Sequence, residues 1–151
     1  MSEAQAEQFN RGIVNDPTWK RNQKRNVEYG RMVNVRDLVD HSLANLINRH
    51  ARQIALLVED IYETNIRIRS THIQHWDGQY GEEVNVPSGG KGWVSVTPIT
   101  TATDPAGGLH FPEFGITYQG IKGRTLIFPN WYERSVLPVT SGFSIIRTRH
   151  A

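Results

Sequence analysis

The strongest hydrophobic pattern in the chain lies between Val35 and Glu63. Apolar residues fall at Val39, Leu43, Leu46, Ile47, Ala51, Ile54, Leu57, Val58 and Ile61, the three-and-four spacing of one helix face. No Gly or Pro interrupts the run, and Asn34 stands where an N-cap is needed. Asp37 and Asp40 lie near the start, where the helix dipole favours carboxylates. The spacing predicts a long helix over 35–63 with its other face (Arg36, Asn48, Arg49, Arg52, Glu59, Asp60) in solvent. From Ile66 onward the period changes. Short β-rich runs at Ile66–Trp76, Trp93–Ile99, Leu109–Phe111, Ile116–Tyr118, Arg124–Phe128 and Phe143–Thr148 alternate with turn clusters such as Asp77-Gly78, Pro87-Ser88-Gly89-Gly90 and Ser141-Gly142. Many short strands with Gly/Pro punctuation predict an α+β, mainly β, fold, a sandwich or jelly roll covered by the helix. Residues 1–33 carry few large apolar side chains (Phe9, Ile13, Val14, Trp19, Val27, Tyr29) and show no period. They read as an extended N-terminal arm, leaving 34–151 as one helix-plus-jelly-roll domain.

Composition narrows the chemistry. The chain has 151 residues, 17 Lys plus Arg against 15 Asp plus Glu, and a net charge of +2. So small an excess argues against a general nucleic-acid binder. The absence of Cys removes disulfides, zinc–thiolate sites, iron–sulfur clusters and thiol nucleophiles together. No apolar run approaches the roughly 18 residues of a membrane span, and the polar start MSEAQAEQFN is unlike a secretory signal, so a soluble protein without membrane insertion is expected. There is no phosphate-binding glycine loop: Gly89-Gly90-Lys91-Gly92 reads as a hairpin turn.

The stretch Gly123-Arg-Thr-Leu-Ile-Phe-Pro-Asn-Trp-Tyr-Glu-Arg-Ser-Val-Leu-Pro-Val-Thr-Ser-Gly142 resembles the C-terminal half of small Fe(II)/2-oxoglutarate dioxygenases, above all the prolyl-hydroxylase-like proteins of tailed phages. Gly107-Gly108-Leu-His-Phe-Pro112 resembles that family's Gly-Gly-x-x-Phe-Pro turn, and the likeness runs from about Ile66 to the end of the chain. It implies a double-stranded β-helix and oxidation by Fe(II) held by two histidines and one carboxylate. It also implies where those ligands belong. The distal histidine falls on Arg134, whose guanidinium has no usable lone pair. The His-x-Asp pair falls near Val84-Asn85-Val86-Pro87, which offers neither imidazole nor carboxylate. The basic residue that grips 2-oxoglutarate falls nearest Phe143, with Arg147 as a displaced substitute. The chain thus reads as a degenerate member with its metal ligands lost, and no cofactor or metal site is expected. The one rebuilt alternative draws on His72, His75, Asp77 and His110.

Lys20, Arg21, Lys24 and Arg25 place four cations in six residues beside Trp19. An arm of this kind suits a protein partner, with Phe9 and Trp19 as anchors and the cations on an acidic surface; nucleic acid is the less favoured partner. The function expected from these features is a non-catalytic structural or interaction protein, docked by its arm into a multi-copy assembly. A phage virion (capsid, neck or tail) or the host cytoplasm is its natural setting. The alternative is an Fe(II)/2-oxoglutarate-dependent oxygenase with displaced ligands.

Overall fold

The computed structural model describes residues 1–18, 31–76, 83–85, 92–100, 108–136 and 143–150. The first element is a helix, α1 (Glu3–Asn15), capped by Ser2, whose side chain accepts a hydrogen bond from the Gln5 amide at 3.1 Å. It ends before Asp16-Pro17, because a residue preceding proline is pushed out of the helical region, and Asp16 has ψ 133°. Ala6, Phe9 and Ile13 form its buried stripe. The expectation of an extended arm over 1–33 is therefore corrected for residues 3–15. The stripe is one side chain wide and includes an alanine, too faint a signal for periodicity.

A strand, β1 (Arg31–Asn34), follows, and then a single 3₁₀ turn, Val35–Asp37, which Asn34 caps by accepting from the Arg36 amide at 3.1 Å. The long helix α2 spans His41–Tyr62, with Asp40 as N-cap accepting from the Leu43 amide. It starts six residues later than the spacing predicts, since residues 35–40 form the turn and the cap. Its buried face is Leu43, Ala44, Ile47, His50, Ala51, Ile54, Ala55 and Val58. Val39, Leu57 and Ile61, expected on the core stripe, are more than half exposed. Two small alanines, Ala44 and Ala55, complete the buried face instead.

Asp16 ties the two helices together. Its carboxylate is buried and accepts from the amides of Thr18 (2.9 Å), Asp40 (2.9 Å) and Val39 (3.3 Å). Burial alone would raise its pKa, but the hydrogen bonds from Asp40, Thr18 and Val39 outweigh it and hold the group below the ordinary aspartate value.

The strands are β2 (Ile68–Trp76), β3 (Glu83–Asn85), β4 (Trp93–Pro98), β5 (Leu109–Phe111), β6 (Ile116–Tyr118), β7 (Leu126–Pro129), β8 (Arg134–Val136) and β9 (Phe143–His150). They pair antiparallel into a five-stranded sheet, β1-β2-β9-β4-β7, and a four-stranded sheet, β3-β8-β5-β6. Val94, Val96, Phe128 and Ile145 of the large sheet meet Leu109 and Phe111 of the small one. On its other face Ile73 and Ile146 pack under Phe9 and Ile13 of α1 and Ile47 of α2.

A polar seam runs through that helix–sheet interface. His50 of α2 pairs with Thr97 (3.2 Å), whose hydroxyl also meets Thr125 (2.7 Å). Ser95 pairs with Nε2 of His150 (3.0 Å), and Thr148 with Thr71 (3.3 Å). His150, at the end of β9, is 2% exposed.

Two predictions follow from this packing. Phe9→Ala removes a fully buried ring and is expected to cost about 3–5 kcal/mol in urea unfolding, a loss an arm residue would not show. Burial holds both His50 and His150 down to about 4, against 6.5 for an ordinary histidine. The unfolded chain therefore binds more protons than the folded one between those values. Stability should be full above about pH 6.5 and fall toward pH 4, by no more than about 3 kcal/mol per histidine. Urea titrations of His50→Gln and His150→Gln across that range should each show a shallower decline.

Candidate functional site: the barrel interior

Strand alternation decides which side chains enter the space between the sheets. On β2, Gln74 points inward and Ile73 outward; on β9, Ile145 and Arg147 point inward and Ile146 outward. The small sheet contributes Leu109 and Arg134. Gln74, Arg134 and Arg147 are the polar lining of a cavity of about 20 Å³, walled by Val96, Phe128 and Ile145 among others. That volume suits one water-sized group.

Arg134 is 5% exposed. Its Nη1 donates to the carbonyls of Asn130 (3.0 Å) and Tyr132 (3.2 Å), and the guanidinium carbon lies 5.2 Å from the centre of the Phe128 ring. Those two bonds hold the turn between β7 and β8 and use one nitrogen of a group with five donor hydrogens. Burial, then Arg147, then Arg149, lower its pKa to about 10. His72, beside Gln74 in sequence, is likewise pushed down, first by burial and then by Arg147, Arg36 and Arg149, with Asp37 opposing. Among the described residues the lining contains two guanidinium groups and no carboxylate. Such an interior attracts an anion.

Asn85 on β3 stands directly opposite Arg134 on β8, so the stretch expected to hold one pair of iron ligands adjoins the position expected to hold the third. The described residues do not assemble an Fe(II) site. A guanidinium cannot ligate a metal, and among the described residues no three His, Asp or Glu side chains come together. The rebuilt set is scattered: His72 and His75 are an odd number of residues apart on β2, and His110 turns away from the barrel to Thr117 (2.9 Å). Asp77 lies outside the described residues. Of the expected partner-contact residues, Phe9 is fully buried in the chain's own core, so it is an internal anchor of α1. Trp19, Lys20, Arg21, Lys24 and Arg25 lie outside the described residues.

Gln74 has no motif around it, and only strand alternation could have placed it inside. Tyr118 was also missed. It packs against the inter-sheet core, and its buried hydroxyl has no hydrogen-bond partner among the described residues. Burial raises its pKa, with Arg124 opposing.

No family model and no curated protein matches the chain. Solved structures do. The viral collagen prolyl hydroxylase of Paramecium bursaria Chlorella virus-1, as its 2OG complex, is similar at TM-score 0.71 and 10% identity, over 99% of this chain and 91% of that one. A prolyl-4-hydroxylase of Pseudomonas putida is similar at TM-score 0.70 and 11% identity, over 99% and 87%. An oxidoreductase of the 2OG-Fe(II) oxygenase family from Burkholderia pseudomallei is similar at TM-score 0.69 and 14% identity, over 97% and 77%. These identities establish the fold, a mainly β oxygenase-type jelly roll with helical cover. They also overturn the expectation of a non-catalytic virion or assembly component, because these similar structures are two prolyl hydroxylases and a 2OG-Fe(II) oxygenase, and none is a virion structural protein.

Two guanidinium groups beside a cavity whose described lining holds no carboxylate predict that an anion built in at Gln74 stabilises the protein. Gln74→Glu should raise the thermal midpoint, by about 1 kcal/mol or more in stability, as hydrogen bonds to charged groups do. A loss as large as that of Gln74→Ala would show that the cations need no counter-charge.

Proposed function

We propose that this chain works in the 2-oxo-acid chemistry of the oxygenases it resembles, binding 2-oxoglutarate or a related small dicarboxylate within the barrel. The observation that carries this reading is the cationic pair Arg134 and Arg147 beside Gln74 in the inter-sheet cavity. A carboxylate there takes a charge-assisted, bidentate hydrogen bond from a guanidinium and offsets the burial of Arg134. At about 20 Å³ the cavity takes one oxygen of such a group, with the rest of the acid outside it. The sheet alternation that aims these residues inward supports the same reading, as does the likeness to a prolyl hydroxylase described with 2OG.

In this reading the iron positions have lost their ligands, with Arg134 in place of the distal histidine and Val84-Asn85-Val86-Pro87 in place of the His-x-Asp pair. What the chain's own residues do is bind and orient: Arg134 and Arg147 hold the acid, Gln74 offers an amide beside them, and Phe128 and Ile145 keep water from the pair. A second reading, an Fe(II)- and 2-oxo-acid-dependent oxygenase with displaced ligands, is favoured by the match of fold along 99% of the chain.

One titration separates the two. Calorimetry with 2-oxoglutarate in the presence of a chelator should show saturable binding, weakened more than roughly ten-fold in Arg147→Ala, as loss of a charged bidentate contact implies. Binding that needs Fe(II), with stoichiometric iron lost on His75→Ala and turnover of 2-oxoglutarate, would establish the second reading. No binding with or without Fe(II) would defeat both.

A further inference from the structure

Away from the barrel interior, four segments distant in sequence bring a continuous row of rings to the surface. Tyr62, the last residue of α2, stacks on Trp93 at the start of β4, with centroids 4.3 Å apart and planes at 27°. Trp93 meets Trp131 in the β7–β8 turn at 6.0 Å. Trp131 stands edge-on to Tyr132 at 6.2 Å, and Tyr132 meets Phe114 of the β5–β6 turn at 4.9 Å. The row is not core: Tyr62, Phe114 and Trp131 are each about half exposed. Ile61, beside Tyr62 on α2, is 64% exposed. A run of aromatic surface this extensive is unusual on a monomer that does not use it.

Within the described segments that carry the rings, the exposed charged side chains are acidic. Asp60, Glu63, Glu113 and Glu133 are exposed within the segments that carry the rings, and residues 59–63, 92–93, 111–116 and 129–133 contain no Lys or Arg. Those four carboxylates belong to a chain with only 15 acidic residues and a net charge of +2. Half-exposed ring faces bordered by carboxylates are what a guanidinium or ammonium seeks, since the ring quadrupole and the neighbouring charge attract it together. A second copy of this chain is the poorer occupant, because a two-fold contact would set the same acidic rim against itself.

We propose that the ridge from Tyr62 through Trp93 and Trp131 to Phe114 is a docking surface for a cationic polypeptide segment. Its Arg or Lys side chains lie over the exposed rings and pair with Asp60, Glu63, Glu113 and Glu133. This surface is independent of the acid-binding interior, which attracts the opposite charge.

The test is calorimetry of the full chain with a short synthetic peptide of alternating arginine and glycine. Saturable binding is expected, weakened roughly five-fold by Trp131→Ala and again by Glu113→Gln with Glu133→Gln, and falling as salt screens the exposed charges. These side chains are exposed, and circular dichroism verifies that each variant is folded. Three results would each overturn the proposal: no binding, equal binding of an alternating serine–glycine peptide, or affinity unchanged in both variants. Light scattering that shows a dimer lost in Trp131→Ala would overturn it too, giving the ridge to a second copy.

Discussion

The central strands of the large sheet bury side chains on both faces, and everything else in the molecule answers to that. On β9, Ile145 faces the small sheet and Ile146 faces the helices, and both are almost fully buried. A strand of that kind cannot leave either side to water, so the sheet needs two separate covers. The small sheet provides one. The other requires both helices, because α2 alone leaves Ile73 and Ile146 to be completed by Phe9 and Ile13 of α1. The buried Asp16 carboxylate then fixes the end of α1 to the start of α2, satisfying three amides that the junction would otherwise leave without partners.

The same constraint locates the chemistry. The inter-sheet space is the region that combines low dielectric with access to inward-pointing polar side chains, and there the chain places Arg134 and Arg147. A shape shared with 2OG-Fe(II) oxygenases does not by itself carry their reaction, since function resides in the side chains that a fold presents. Here the presented charge is positive where a metal centre would call for imidazole and carboxylate. Among the described residues no three His, Asp or Glu side chains come together there.

Parts of this were legible in the sequence for identifiable reasons. Residues 41–62 carry a wide apolar stripe with no breaker, so α2 could be read from period alone. Asn85 of β3 pairs with Arg134 of β8, so two stretches that the resemblance singled out are neighbours. Other elements left no local trace. Strand β1, four residues long, and β3 and β8, three residues each, are defined by their partners across the sheet rather than by their own composition. α1 was hidden because its buried stripe, Ala6, Phe9 and Ile13, is narrow, and the row of rings because its members are scattered along 70 positions of sequence. Gln74 became meaningful only once pairing with β9 fixed its face.

The hydroxyl–imidazole contacts beneath α2 have one more consequence. An interface made only of aliphatic side chains is tolerant of sliding, because one methyl group packs nearly as well as the next. His50 on Thr97 and His150 on Ser95 admit no such shift: moving the helix or the strand by one position would bury those groups without partners. The seam therefore acts as an alignment key. It contributes less cohesion than the apolar contacts around it, but it selects one seating of the helix among several that grease alone would permit. Through β9, which carries His150 outward and Arg147 inward, that seating also fixes where the interior guanidinium stands.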